Sequence, residues 1–154
     1  MKKFQIKKIL VPTDFSQIST EAFPYAEDLA NQYGAEIHLA YVIEKNPPIL
    51  IIRSIDQTSE DAAKKIEEDA KNLLNEFKAK FSNNVSVKTV LLHGNDFEEI
   101  TNYAEKNNID LIVIATHGRT GLLHTLLGSV AEKVIRYAKC PVLVITPQKA
   151  ESEE

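Results

Sequence analysis

The chain has 154 residues, 44% hydrophobic and 26% charged, the composition of an ordinary globular protein that buries roughly 70% of its unfolded surface without a staple. A net charge of −4 and the lack of any basic stripe give no electrostatic reason to expect nucleic-acid binding. The single cysteine, Cys140, excludes an internal disulfide and reads as a small core residue, and no apolar run approaches the length of a membrane span.

The start, Met1-Lys2-Lys3-Phe4-Gln5, is followed by no long apolar region or cleavage site, so no signal peptide and a cytoplasmic location are expected. Ile6 to Pro12 reads as the first strand, with Ile9, Leu10 and Val11 as its apolar centre. Thr13-Asp14-Phe15-Ser16 turns into a helix in which Ile18, Ala22, Tyr25, Ala26, Leu29, Ala30 and Tyr33 recur at helical spacing. Ser16 is its expected N-cap and Gly34 its end. Pro24 removes a backbone donor inside this helix, so a kink or a loosened first turn is expected there. Asp14 lies at the carboxyl end of the first strand, where open α/β sheets place their ligands. Its carboxylate could accept a ribose hydroxyl or hold a metal ion through water; a turn aspartate that only orders its own loop fits equally.

Ala35 to Ile43 alternates as a second strand, with His38 read as a satisfied strand residue. Glu44 to Ser59, containing Pro47-Pro48 and four successive aliphatic residues, is long for a connection and is expected to be a partly ordered flap. Ser59 to Phe81 is an amphipathic helix and Val85 to Leu92 a third strand. Gly94-Asn95 opens the next helix, Asn95 and Glu98 having capping-box spacing, and His93 is a polar strand end. Asn107-Asn108 is a turn. Leu111 to Ala115 is a continuous apolar run suited to a strand covered on both faces. Thr116 to Leu127 is a glycine-bearing, hydroxyl-rich loop. From Gly128-Ser129 a helix runs with Val130, Ala131, Val134, Ile135 and Ala138 as one stripe, Cys140-Pro141 ends it, and Val142 to Ile145 is the last strand. Residues 1–147 are expected to form a single domain and Gln148 to Glu154 a disordered polar tail.

The loop and helix start offer anion-binding chemistry. Glycines let backbone N–H groups face a ligand, and a helix N-terminus adds unpaired donors worth about 0.3–1 kcal/mol per charge when exposed. Gly118 and Gly128-Ser129 thus make two walls of a phosphate cradle, with Arg119 and a metal ion needed to balance a triphosphate. Glycines that only serve turns and a serine that only begins a helix explain the same letters. His117 and His124, seven residues apart, have no metal-ligand spacing, and no residue reads as an activated nucleophile or base. No catalytic residue is assigned, and His117 reads as structural or phosphate-orienting.

This segment resembles the C-terminal signature of the universal stress protein family, in which a glycine, two residues, a second glycine, nine residues and a Gly-Ser or Gly-Thr pair line the phosphates of ATP. Here the second glycine is Gly118, the nine are Arg119 to Leu127 and the pair is Gly128-Ser129, continuing into Val130. Ala115 stands at the first glycine position; it is the smallest replacement and tolerates most backbone shapes except positive φ. Pro12-Thr13-Asp14-Phe15-Ser16 matches the family's opening motif, whose aspartate lies against the nucleotide, and the backbone at the position of Val42 meets adenine. The resemblance covers nearly the whole chain. It implies a Rossmann-like fold of the adenine nucleotide alpha hydrolase type: a five-stranded parallel sheet in the order 3-2-1-4-5, with helices on both faces and right-handed crossovers. Asp14 and the loop then meet at the switch point.

What it implies for function is an ATP-binding stress-response protein, with Mg2+ or Mn2+, acting as a nucleotide-dependent switch with at most slow hydrolysis. The alternative is a nucleotide-independent, dimeric interaction or chaperone-like module. Both imply a homodimer through Pro141 to Ile145 and an unidentified protein partner, with no nucleic acid and no membrane. A receiver domain's acidic pair after the first strand is absent, and there is no room for the second, substrate-binding domain of a tRNA-adenylating enzyme.

Overall fold

The computed structural model describes residues 3–44, 59–117 and 127–147. The expected flap and polar tail fall on residues 45–58 and 148–154, outside the described residues. In chain order the elements are β1 (Lys8–Pro12), a 3-10 turn (Ile18–Ala22), α1 (Phe23–Tyr33), β2 (Glu36–Ile43), α2 (Ser59–Lys78), β3 (Val87–His93), α3 (Asp96–Lys106), β4 (Leu111–Ala115), α4 (Ser129–Tyr137) and β5 (Val142–Ile145). All strand pairs are parallel and the sheet order is β3-β2-β1-β4-β5, as the resemblance implied.

The alternation of the strands divides the core between the two faces of the sheet. On one face Ile9, Val11, Ile37, Leu39 and Val113 meet Phe23, Ala26 and Ala30 of α1 and Leu74 of α2. On the other Leu10, Ala40, Val42, Ile112 and Ile114 meet Ile100 and Ala104 of α3 and Ala131 and Val134 of α4. None of these helices, nor any other among the described residues, is long and apolar enough to cross a membrane.

The first helix differs from a single run after Ser16. Pro24 sits in the first turn of α1, where a missing N–H costs nothing, and the preceding residues tighten into the 3-10 turn. The N-cap position is Gln17, not Ser16, and Gln17 makes no side-chain capping bond; Ser16 stands one residue earlier, its Oγ accepting the Ser19 N–H at 3.1 Å. Gly34 closes α1 in the left-handed conformation, φ 67°. The helix read as Ser59 to Phe81 ends at Lys78. Phe81 stays buried in the following turn, its ring stacked on Phe23 with centroids 4.6 Å apart. Asn95 occupies the N-cap position of α3, but its side chain makes no capping bond, and the Phe97 N–H is instead held by Asp96 Oδ1 at 2.6 Å.

His38, 3% exposed, is satisfied as expected, with Glu36 Oε1 2.7 Å from Nε2 and the Tyr103 hydroxyl 2.7 Å from Nδ1. Burial, and secondarily the Glu36 charge, pushes the Tyr103 phenol above its ordinary pKa, so it donates to Nδ1 while Nε2–H donates to Glu36. At the same end of the sheet Asp110 Oδ2 accepts the Lys7 and Lys8 amides at 2.8 and 3.0 Å, tying β4 to the start of β1.

Candidate functional site

The sheet splits at the carboxyl ends of its two central strands. β1 and β4 pair at Ile9 with Leu111 and Leu10 with Ile112, and the ladder stops there, before either strand ends. The β1–β2 ladder stops at Pro12 opposite Ala40, while β2 continues beside β3 as far as Ile43 opposite His93. The backbone around Val42 therefore projects past the end of β1, with the Val42 side chain turned into the core beneath α3. A doubly wound sheet places its ligand crevice where the strand order reverses, which here is between the ends of β1 and β4, beside the end of β2.

Thr13 and Asp14 form its β1 wall. The Ser19 hydroxyl donates to the Ser16 carbonyl at 2.7 Å, so Thr13 Oγ1, 2.8 Å away, is the donor to Ser19; Thr13 Oγ1 also accepts the Phe15 N–H at 3.1 Å. The Thr13 hydroxyl proton is thereby committed to shaping the turn. Asp14 Oδ1 accepts the Ser16 N–H at 2.9 Å, an Asx turn that fixes the carboxylate beside the strand end. Phe15 takes a left-handed backbone, φ 66°, which bulky residues rarely adopt. Its ring is held against Tyr41 and Phe77, with centroid distances of 4.2 and 5.2 Å.

The β4 wall is Ala115, Thr116 and His117, all buried. Among the described non-glycine residues only Phe15 and Asn108 have positive φ, so Ala115 ends β4 in a backbone that alanine adopts without strain. Gly128 comes so close that its N–H donates to the Thr116 carbonyl at 2.5 Å, and a Cβ on Gly128 would lie 2.7 Å from the same oxygen. The first intrahelical bond of α4 runs from the Glu132 N–H to the Gly128 carbonyl at 3.0 Å, which leaves the amides of Ser129, Val130 and Ala131 without an intrahelical acceptor. Ser129 is exposed and Val130 half-buried. The Thr116 Oγ1 is sealed from solvent and has no hydrogen-bond partner among the described residues. Gly118 and Arg119 lie outside the described residues.

This arrangement suits an anion better than a metal ion. Among the described residues no three His, Cys, Asp or Glu side chains group as metal ligands. Burial pushes the Cys140 thiol above its ordinary pKa, which leaves it a protonated, poor nucleophile. His93 is exposed, its Nε2 3.9 Å from Glu67 Oε1. Two residues that shape the site were not singled out from the sequence. The left-handed Phe15 had no local signal beyond its place in the turn. Thr116 had one: a hydroxyl directly after an apolar strand.

The family model described as Universal stress protein family matches residues 5–146. The chain belongs to the universal stress protein family. Universal stress protein MJ0531 of Methanocaldococcus jannaschii is 38% identical over 154 residues, covering 94% of this chain and 85% of the relative. The solved structure of MJ0577, a universal stress protein of the same organism, superposes with a TM-score of 0.81 at 33% identity, covering 95% of this chain and 99% of that one. Two more distant universal stress proteins share the fold: one crystallised with cAMP (TM-score 0.64, 20% identity, 92% of this chain and 98% of that one) and one from Archaeoglobus fulgidus with dAMP (TM-score 0.60, 16% identity, 92% and 98%). In this universal stress protein fold Thr13 to Ser16 follow β1 and Gly128-Ser129 open α4 after β4, on the two sides of the split in the sheet.

Proposed function

We propose that this protein binds an adenine nucleotide, ATP in the first place, in the crevice between β1 and β4, and that occupancy alters what the protein contacts. The observation that carries the reading is the stagger of the central strands, which stop pairing at Leu10 and Ile112, with the Asp14 turn following β1 on one side of the split and β4, leading to the start of α4, on the other. In this reading the backbone of Val42 meets adenine, Pro12, Thr13 and Asp14 border the ribose, and Ala115, His117, Gly118, Arg119, Gly128, Ser129 and Val130 surround the phosphates. Mg2+ neutralises phosphate charge when bound, with Asp14 reaching it through water. The structures of relatives with cAMP and dAMP support an adenylate ligand. In this reading hydrolysis is slow at most, since none of the described residues of the crevice is assigned as a base.

The second reading, a dimeric interaction module without nucleotide, draws on the β5 edge, where Leu143 is 37% exposed. Self-association through this edge fits both readings. The test is denaturing extraction of the purified protein, to detect carried-over nucleotide, followed by calorimetric titration of nucleotide-free protein with ATP and magnesium. Co-purified nucleotide or binding in the micromolar range is expected. Folded, nucleotide-free protein that takes up no ATP would leave the interaction module.

A further inference from the structure

On the sheet face covered by α1 and α2, a cavity of about 290 Å³ opens to solvent between the first helical segment and the turn after α2. It is lined by Thr20, Phe23, Pro24, Glu27, Lys80 and Phe81, none of which borders the nucleotide in the reading above. Its size is at the bottom of the range of small-molecule sites, about 300–1,000 Å³. The apolar part is rigid: the buried Phe23 and Phe81 rings stack with centroids 4.6 Å apart, and Phe23 meets Phe77 edge-on at 6.4 Å.

The polar groups divide by chemistry between the two sides. From the α1 side come two acceptors. Glu27 Oε1 accepts the Ser82 N–H at 2.5 Å and stands 2.8 Å from the Ser82 hydroxyl, which fixes the carboxylate and leaves Oε2 without a partner among the described residues. The Thr20 hydroxyl donates its proton to the Gln17 carbonyl at 2.6 Å, so toward a ligand it only accepts. From the α2 side comes one cation. Lys80 Nζ lies over the Phe77 ring, 5.2 Å from its centroid, and forms no ion pair among the described residues, with Glu27 or any other. Two opposite charges thus line one cavity without pairing with each other.

We propose that this cavity binds a free α-amino acid with an apolar side chain. Its carboxylate meets Lys80, its ammonium meets Glu27 and Thr20, and its side chain lies against Phe23, Pro24 and Phe81. The charges decide the class. A simple carboxylic acid brings its anion beside Glu27 with nothing to offset it, and a simple amine brings its cation beside Lys80; a zwitterion answers both. A polar side chain would forfeit its hydration against the two phenylalanines. The site does not depend on the nucleotide reading.

The experiment is a titration of the full, 15N-labelled chain with L-phenylalanine and L-leucine, followed through the backbone amide signals. Two compounds serve as comparisons: 3-phenylpropionate, which lacks the ammonium, and phenethylamine, which lacks the carboxylate. At least one of the two amino acids is expected to saturate with a Kd of roughly 0.1–1 mM, moving the amides of Thr20, Lys80 and Phe81. The comparison compounds are expected to bind about tenfold more weakly or worse, each lacking one charge-assisted contact. Lys80→Gln and Glu27→Gln should each weaken amino-acid binding by a similar factor with the rest of the spectrum unchanged. Glu27→Gln keeps a carbonyl acceptor for Ser82, so its effect reads the charge and not the fold. No saturation with either amino acid would overturn the proposal. So would equal binding of 3-phenylpropionate or phenethylamine, or unchanged affinity in both variants.

Discussion

Gly128→Ala is expected to lower the stability of the protein by about 1–3 kcal/mol, the cost of forcing one extra methyl into a packed site, and to weaken ATP binding at least tenfold. The added Cβ would stand 2.7 Å from the Thr116 carbonyl oxygen, a contact with backbone that no rotamer change relieves. α4 must then move off the end of β4, losing the bond from the Gly128 N–H and misaligning the amides of Ser129 and Val130 that the nucleotide needs. Gly34→Ala is the control. There a Cβ meets nothing within 4 Å, but φ is 67°, so the cost is one of backbone conformation alone, about 1 kcal/mol. Urea unfolding should show both variants destabilised, and calorimetry should show only Gly128→Ala impaired in ATP uptake. Equal stability of Gly128→Ala and wild type would show that the close approach is not needed.

Phe15→Ala is expected to cost about 2–4 kcal/mol, somewhat below the range for a fully buried phenylalanine because Phe15 is half-buried. The loss comes from its contacts with Tyr41 and Phe77, which hold the turn carrying Asp14. Phe15→Gly removes still more side chain, yet it should be the more stable of the two. At φ 66° glycine relaxes a conformation that alanine keeps strained by roughly 1 kcal/mol. Both should weaken ATP binding, since the Asx turn at Asp14 loses its anchor. Denaturation midpoints of the two variants decide the matter. Phe15→Gly falling clearly below Phe15→Ala would show that the left-handed backbone at Phe15 is not a constraint on the fold.

The sheet was legible because its strands are apolar runs of ordinary length with helical periodicity between them, and the order of the strands came with the family resemblance. Gly34 and His38 behaved as their neighbours implied. Boundaries moved where packing outweighed local pattern: Phe81 keeps its core position without a helix, and β3 begins at Val87 instead of Val85. The capping-box spacing at Asn95 was misleading, because Asp96 supplies the hydrogen bond one residue later. At the site, position and spacing made Asp14 and the Gly-Ser pair candidates, and the family resemblance turned them toward a ligand. Neither could reveal that the Thr13 hydroxyl bonds to both Ser19 and Phe15, or that the Thr116 hydroxyl has no partner among the described residues. Such facts depend on which groups long-range folding brings together, and a linear pattern does not carry them.

The central place of β1 has a consequence for the order in which the molecule assembles. Its pairing with β2, and of β2 with β3, joins neighbours in the chain, whereas the amide of Lys7 reaches Asp110 across 103 residues. As the chain leaves the ribosome, the unit from β1 to β3 can form early, with one side of β1 still bare. The ligand crevice has β4 as its other wall and α4 as its anion end, so it comes into being only when nearly the whole chain has been made. On the proposed reading nucleotide uptake is then a property of the finished molecule, and in a prematurely terminated chain the Asp14 turn lacks its β4 wall.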